Sequence, residues 1–312
     1  MKKITLITGL AFGLLHSFAQ KLDSIKYAYG YLYYHDYGKG EPVILLSGGP
    51  SVSCNQEQEV AMELSKKYRA ILLEQRGTGI SLPEPFDSTT INLQAALSDL
   101  NLLLDHLHLK QAIFYGHSWG GTLAMTFATN FPKRVKAIIL TATGPFKGDN
   151  SGPTLILNMN ARLSKDERLF MYSINRKERN VTMTAAEFTE RRKLGFRTRF
   201  ANEDSLESVY PRYAVGIMNK KMARLMWQDL WNIHFDLTNK FGAYHNPFYA
   251  IAGRQDPGEF VTYELKIAEP RVELFWIQNC GHFPMFDEPV EFYKILNMLV
   301  EKGRNTASKI TL

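Results

Sequence analysis

The segment Gly116-His117-Ser118-Trp119-Gly120-Gly121 has the residue types and spacing of a turn that presents a nucleophilic serine. An apolar run, 112–115, precedes it, and a helix-compatible segment, 122–128, follows it. A Gly-x-Ser-x-Gly sequence between a strand and a helix is typical of a nucleophile elbow, where the serine hydroxyl projects from a strained turn. We therefore predict that Ser118 is a catalytic nucleophile. The alternative is a glycine-rich turn without chemistry.

Two polar residues that follow later apolar runs complete a possible catalytic triad. Asp256 comes after the run 247–252, and His282 comes after the run 272–277. Serine needs a base to remove its proton, and a carboxylate beside a histidine fixes the tautomer of that base. We predict that His282 is the base and Asp256 its carboxylate partner. Alternative acids, less well placed along the chain, are Glu259 and Asp287.

An acyl-transfer site also needs two N–H donors for the oxyanion. The backbone N–H of Trp119 directly follows the nucleophile and supplies the first donor in this interpretation. The loop Ser47-Gly48-Gly49-Pro50 follows an earlier apolar run, and Gly49 is the best placed second donor. The alternative for this loop is a simple turn.

The parts of the chain that must position these residues consist of strand-like runs that alternate with helix-like segments. Short, continuously apolar runs at 43–46, 70–73 and 112–115 are typical of buried parallel strands. The pattern predicts an α/β fold with a doubly wound, mostly parallel sheet. It stops near residue 145 and resumes at 247, so 20–145 and 247–312 form the predicted core. The intervening residues 146–246, called the cap below, are predicted to be a helical insertion above the carboxyl ends of the strands.

The first nineteen residues have the layout of an export signal. Lys2 and Lys3 precede an apolar run, 4–15, and small residues at 17 and 19 fit cleavage before Gln20. We therefore expect 1–19 to be a signal peptide and the mature protein to be periplasmic or secreted. The run is too short for a stable membrane span. A buried N-terminal helix is the alternative.

Composition and charge argue against nucleic-acid-binding, disulfide-rich and metal-binding proteins. The formal net charge is +6, and the cap alone holds 17 Lys and Arg against 11 Asp and Glu, but no nucleic-acid-binding motif accompanies this excess. A solvated helical face explains it better, so we expect no nucleic-acid partner. The two cysteines, Cys54 and Cys280, form no disulfide framework and are predicted to be free thiols; the alternative is that an exported protein pairs them. Neither they nor the eight histidines show metal-site spacing, and we expect no cofactor and no metal.

With these motifs in place, the chain resembles the α/β-hydrolase superfamily over nearly its whole predicted mature length. More narrowly, it resembles the proline iminopeptidase (prolyl aminopeptidase) family of serine peptidases. The motifs that carry this resemblance are Gly48-Gly49-Pro50, Gln75-Arg76-Gly77-Thr78-Gly79-Ile80-Ser81, Gly116–Ala124 and Gly281-His282-Phe283-Pro284. The resemblance implies the α/β-hydrolase fold, the triad roles given above and release of an N-terminal residue, often proline, from short peptides.

The sequence departs from that family at three positions. Ser47 and Ser51 stand where the family usually has histidine and glycine around the Gly-Gly-Pro motif, and Glu74 stands where it tends to have aspartate. These changes leave the backbone donors of the oxyanion loop in place.

An aminopeptidase must also hold the charged amine of its substrate, which requires carboxylates near the site. The candidates in the cap are Glu203, Asp204, Glu207 and Asp229, each of which also fits a solvated helix face. Several apolar cap residues fit either a pocket wall or helical core packing, and these are Met218, Met222, Met226, Trp227, Trp231 and Phe235.

Three functions therefore remain open at this point. The first is a serine aminopeptidase acting on short peptides through an acyl-enzyme. The second is an esterase or lactonase that uses the same triad on a small-molecule ester. The third is a non-catalytic binding protein of the same fold, against which the complete triad argues. The oligomeric state is not fixed by the sequence.

Overall fold

The computed structural model describes residues 20–148, 151–180, 183–213 and 218–306, so the predicted signal segment lies outside the described residues. These residues contain one eight-stranded sheet with helices on both faces. Its strands are β1 (Lys21–Tyr27), β2 (Gly30–Gly38), β3 (Pro42–Leu46), β4 (Arg69–Leu73), β5 (Ala112–His117), β6 (Val135–Thr141), β7 (Phe248–Gly253) and β8 (Glu273–Ile277).

The strand order is β1-β2-β4-β3-β5-β6-β7-β8. The hairpin of β1 and β2 pairs antiparallel with the edge of the sheet at β4, and all pairs from β4 to β8 are parallel. The prediction of a doubly wound, mostly parallel sheet is therefore confirmed. Because the parallel strands share one direction, their carboxyl ends, which carry the candidate site residues, meet at one edge of the sheet.

Alternate residues of the central strands pack into two different cores. Ile44 and Leu46 of β3 lie in one apolar cluster, whereas Val43 and Leu45 lie in the other. This alternation follows from the period-two geometry of a strand, and it explains why buried parallel strands are continuously apolar.

The two cores are covered by helices on opposite faces of the sheet. The helices of the core are α1 (Gln58–Leu64), α2 (Leu93–His106), α3 (Trp119–Asn130), α9 (Glu259–Ala268), α10 (Pro284–Asp287) and α11 (Pro289–Thr306). Apolar residues of α2, α3 and α9 pack on one face, and those of α1 and α11 pack on the other.

The chain between β6 and β7 contains the helices of the cap. These are α4 (Ser151–Ala161), α5 (Lys165–Asn180), α6 (Ala185–Arg197), α7 (Glu203–Tyr213) and α8 (Lys220–Asn232). Met222 and Met226 of α8 are buried in the core on the α2 face, while Leu206 and Val209 of α7 join the core on the α11 face. The cap is thus anchored to both sides of the sheet. Across the described ranges, none of the helices has the length and apolar character needed to cross a membrane.

Candidate active site

Ser118 lies in a sharply constrained turn between β5 and α3. Its backbone has φ +51° and ψ −116°, a conformation that non-glycine residues rarely adopt. Glycines make the turn possible, because a Cβ at Gly116 would collide with the carbonyl of Gly120, and a Cβ at Gly120 would collide with the carbonyl of Leu46. A Cβ at Gly144 would in turn strike the carbonyl of Ser118. The local sequence therefore enforces the strained geometry expected of a nucleophile elbow.

Asp256 and His282 lie together beyond the carboxyl ends of β7 and β8. His282 Nδ1 is 2.9 Å from Asp256 Oδ2, and both side chains are mostly buried. The second oxygen of Asp256 accepts a hydrogen bond from the Gly258 N–H at 2.7 Å. A proton held on Nδ1 by Asp256 leaves Nε2 of His282 as the basic nitrogen. Ser118 and His282 line the same cavity.

The electrostatics of this pair favour a neutral imidazole beside an ionised carboxylate. Burial lowers the pKa of His282 below its ordinary value of 6.5, although Asp256 opposes this effect. Burial acts to raise the pKa of Asp256, but His282 and the Gly258 N–H outweigh it and hold that pKa below 3.8. His282 is therefore able to accept a proton at neutral pH.

The two predicted oxyanion donors, Gly49 and Trp119, come before and after Ser118 in the sequence. Trp119 is the first residue of α3, so its N–H has no partner within the helix. The Gly48 N–H is occupied, since it donates to Gln56 Oε1 at 2.9 Å. Gly49 lines the cavity with φ +55°, a conformation that suits glycine.

Gln75 connects the two segments predicted to supply the oxyanion donors, a contact that sequence reasoning did not find. Its Oε1 accepts a hydrogen bond from Trp119 Nε1 at 3.0 Å, and its Nε2 donates to the carbonyl of Ser47 at 2.9 Å. The side chain is buried. One amide group thus fixes the spacing between the elbow and the glycine loop. The sequence signal was the motif that begins at Gln75, which had been interpreted only as a loop typical of the family.

Glu74, one of the departures from the family pattern, also supports the glycine loop. Its buried carboxylate accepts hydrogen bonds from Ser53 Oγ at 2.8 Å and from the Cys54 N–H at 3.1 Å. It also contacts Thr78 Oγ1. A Cβ at Gly79 would collide with this carboxylate, so glycine is required beside it. The longer acid is therefore fully accommodated.

A second histidine–carboxylate pair lies behind the first and was also missed. His117 Nδ1 is 3.0 Å from Glu57 Oε1, and both side chains are completely buried. His117 Nε2 lies 2.9 Å from the carbonyl of His282, and Tyr115 Oη donates to Glu57 Oε2 at 3.1 Å. Burial acts to lower the pKa of His117, but Glu57, with smaller contributions from the His282 carbonyl and Asp256, outweighs burial and raises that pKa above 6.5. Nothing in the sequence around His117 indicated that Glu57, sixty residues earlier, is its partner.

The cavity above Ser118 has a volume of about 550 Å³ and a mixed lining. Aromatic rings of Trp227, Phe196 and Phe283 form apolar walls. Among the described residues, its charged lining consists of two arginines, Arg192 and Arg199, and one carboxylate, Glu59. The site therefore combines an apolar surface with a few charged groups, as small-molecule sites usually do.

The carboxylates predicted to bind a substrate amine are not brought into this cavity. Glu203 and Glu207 have side chains 75% and 62% exposed, and they pair with Arg197 and Lys193 on the outside of the cap. Asp229 Oδ2 instead accepts the N–H of Leu93 at 2.8 Å, and Asp229 lines a separate groove of about 1230 Å³. Asp204, in the first turn of α7, does not line the cavity either. Helical spacing alone did not reveal which face of each cap helix points toward Ser118.

The alternative acids have other positions. Asp287 accepts the N–H groups of Gly281 at 2.8 Å and Ala201 at 3.0 Å, so it holds the loop before His282 against the cap. Glu259 is the partly buried first residue of α9, and burial, together with the nearby charge of Asp256, raises the pKa of its carboxyl. Asp256 is the acid within hydrogen-bond distance of His282 Nδ1.

The apolar cap residues divide between the two predicted roles. Met218 and Trp227 line the cavity, and Trp227 packs edge-on against Trp119 at 5.6 Å between ring centroids. Met222, Met226 and Phe235 are buried in the core, while Trp231 is largely exposed.

Both cysteines are free and buried, with burial raising the pKa of each thiol. Among the described residues, no cluster of three or more His, Cys, Asp or Glu could hold a metal ion.

The family model for the alpha/beta hydrolase fold matches residues 41–289, which is most of the chain. The chain belongs to the alpha/beta hydrolase fold family. This alpha/beta hydrolase is 28% identical to a proline iminopeptidase of Heyndrickxia coagulans over 267 residues, 83% of this chain and 90% of the other. The predicted family resemblance is thus confirmed.

Two solved structures share the fold of this alpha/beta hydrolase. A proline iminopeptidase-related protein from Thermus thermophilus has a TM-score of 0.69 at 20% identity, over 91% of this chain and 98% of that one. An N-acyl homoserine lactonase has a TM-score of 0.63 at 16% identity, over 92% and 98%. At these identities the likeness establishes the fold alone.

Proposed function

We propose that this chain is a serine hydrolase that acts through an acyl-enzyme, with Ser118, His282 and Asp256 as its triad. The observation that carries the proposal is the 2.9 Å contact between His282 Nδ1 and Asp256 Oδ2 at the cavity that Ser118 also lines. Ser118 Oγ attacks the substrate carbonyl carbon while its proton passes to His282 Nε2. The N–H groups of Gly49 and Trp119 stabilise the negative oxygen that forms.

The remaining steps follow from the same groups. The intermediate collapses, the bond to the leaving group breaks, and His282 returns its proton to that leaving group. Water then attacks the ester of Ser118 with His282 as base, which releases the acid and restores the serine. Asp256 stays ionised throughout and stabilises the imidazolium.

We propose release of an N-terminal proline or similar residue from short peptides as the reaction. Support comes from the relative in Heyndrickxia coagulans, whose name is that activity and which matches most of both chains. In this interpretation Glu59 is the carboxylate of the cavity that contacts the substrate amine, because Glu203, Glu207 and Asp229 face elsewhere.

Ester or lactone hydrolysis is the second candidate. The observation that favours it is the charge of the cavity lining, in which two arginines accompany one carboxylate. A cavity with excess positive charge gives little general attraction to a cationic amine. The same triad would act on an ester without needing an amine site.

The deciding experiment compares hydrolysis of a proline arylamide, its N-acetylated counterpart and a p-nitrophenyl ester. Cleavage of only the free-amine arylamide supports the aminopeptidase, and cleavage of only the ester supports the second candidate. The Ser118→Ala variant is the control and should lose turnover by roughly 10⁴-fold or more while keeping its fold. Failure of the wild type to react with a fluorophosphonate probe would favour a non-catalytic binding protein.

A further inference from the structure

We propose that Arg199 binds a carboxylate on the leaving group of the substrate, so that the preferred substrates are acids such as dipeptides with a free C-terminus. This inference rests on the proposed serine hydrolase function and names the class of substrate for that site. Arg199 lies just beyond the end of α6, lines the cavity that contains Ser118 and His282, and is partly exposed to it.

The guanidinium of Arg199 has no carboxylate partner in the part of the chain that the structure describes. Its hydrogen bond is to the carbonyl of Gly195, which Nη1 reaches at 2.7 Å. Arg197, two residues earlier, differs sharply, because it pairs with Glu167 at 2.6 Å and with Glu203 at 3.4 Å. A guanidinium has five donors arranged in a fork, so most of the donors of Arg199 remain available to a ligand.

The positive charge of Arg199 is poorly compensated by the protein. Burial lowers its pKa, and the acid that opposes this effect is Asp256, whose oxygens are already engaged by His282 and Gly258. Arginines placed in this way are stabilised when a carboxylate arrives, and the resulting hydrogen bonds are charge-assisted and often bidentate.

The backbone around Arg199 places it on the leaving-group side of the site. Its carbonyl accepts the N–H of His282 at 2.7 Å, and a Cβ at Gly281 would collide with that carbonyl. The backbone of Arg199 is therefore held beside the histidine, and the positive charge of its side chain lies close enough to help lower the pKa of His282. Because His282 delivers the proton to the leaving group, a group bound beside His282 belongs to the leaving part of the substrate. In a dipeptide, the anionic group on that part is the C-terminal carboxylate.

The kinetic test uses two matched substrate pairs, Pro-Ala against its C-terminal amide and 3-acetoxybenzoate against its methyl ester. For the pair that is turned over, wild type should prefer the acid about 10- to 100-fold in kcat/KM, the range expected of a charge-assisted hydrogen bond. In Arg199→Gln this ratio should fall to about one, and Arg199→Lys should keep part of it. The charge-matched control is Lys193→Gln on the outer face of α6, which should keep the full ratio.

A binding test separates this inference from the catalytic proposal. Calorimetry on Ser118→Ala measures the affinity for 3-hydroxybenzoate and for its methyl ester, which are leaving groups rather than substrates. The acid should bind at least about tenfold more tightly, and the double variant Ser118→Ala/Arg199→Gln should lose this difference. Equal binding of acid and ester, or a preference that survives Arg199→Gln, overturns the role of Arg199. If the wild-type protein turns over none of the four substrates while calorimetry on Ser118→Ala still shows the preference for the acid, the catalytic proposal alone is overturned.

Discussion

His117 and Glu57 form a fully buried pair, 3.0 Å apart, directly behind the loop that carries His282. His117 is the last residue of β5, directly before Ser118, and its Nε2 lies 2.9 Å from the carbonyl of His282. The pair therefore links β5 to the loop that carries His282 through the interior. Such a pair is costly to break, because one buried charge is left without compensation.

We expect Glu57→Gln to lower the free energy of unfolding by about 3 kcal/mol at acidic pH. The pKa of His117 is raised in the folded protein, so the pair stabilises fully below pH 6.5, and its contribution is lost as pH rises through that raised pKa. Urea unfolding at several pH values measures this. The control is Glu63→Gln, in a partly exposed pair with Lys66, which should change stability by less than about 1 kcal/mol. A deficit that grows with pH would contradict the assignment.

The acidic limb of the kcat/KM profile should lie below pH 6.5. His282 must be neutral to accept the serine proton, and burial, with the nearby charges of His117 and Arg199, lowers its pKa despite Asp256. Activity should therefore reach half its maximum at a pH below 6.5. Hydrolysis of whichever substrate is cleaved, measured across the acidic and neutral range, tests this. An acidic limb centred above pH 6.5 would mean that another group controls the rate.

Asp256→Asn should reduce kcat by about 10³- to 10⁴-fold. The amide cannot stabilise the imidazolium of His282, and it favours the wrong tautomer. The control is Glu259→Gln, which removes a carboxylate three residues later that does not contact His282 and should keep kcat within about threefold. Comparable losses in the two variants would argue that Asp256 is not the acid of the triad.

Gln75→Leu should lower kcat by roughly 10- to 100-fold and change KM little, because a misplaced oxyanion donor weakens only transition-state binding. Leucine cannot bridge Trp119 Nε1 and the Ser47 carbonyl, so the two donor segments lose their common anchor. The control is Gln228→Leu on the exposed side of α8. If Gln75→Leu raises KM and leaves kcat intact, Gln75 contacts substrate and does not position the donors.

Two glycine substitutions should have opposite effects, one in the tight turn that contains Ser118 and one at an ordinary helical position. Gly120→Ala should destabilise by about 2–3 kcal/mol and abolish activity, because its Cβ would collide with the carbonyl of Leu46. Gly152→Ala, in α4, meets nothing within 4 Å and should be neutral or stabilise by about 0.5–1 kcal/mol. Thermal unfolding and fluorophosphonate labelling report both effects. An active, stable Gly120→Ala protein would disprove the close packing of the turn.

The positions of Ser118, Asp256 and His282 were accessible to sequence reasoning because each follows an apolar strand. Parallel strands deliver their carboxyl ends to one edge, so chain order translates directly into proximity. Glu57 and Gln75 were not accessible, because their roles depend on contacts with residues 28 to 60 positions away. A related reason explains why sequence reasoning selected carboxylates of the cap that do not line the cavity. The direction of a helix face is set by tertiary packing, which a local period does not encode.

The chain enters and leaves the helical part of the cap through two segments that lie side by side, because Lys147 and Asp236 form an antiparallel bridge and the Leu237 N–H donates to the Phe146 carbonyl at 2.9 Å. The ends of the long segment between them therefore lie about 5 Å apart, the spacing of adjacent strands. Such a segment is exchangeable, since a transplanted cap of different length has to meet only one pair of adjacent attachment points. Swapping caps between relatives would then change which molecules are recognised, while β5, β7 and β8 keep delivering the same reactive groups.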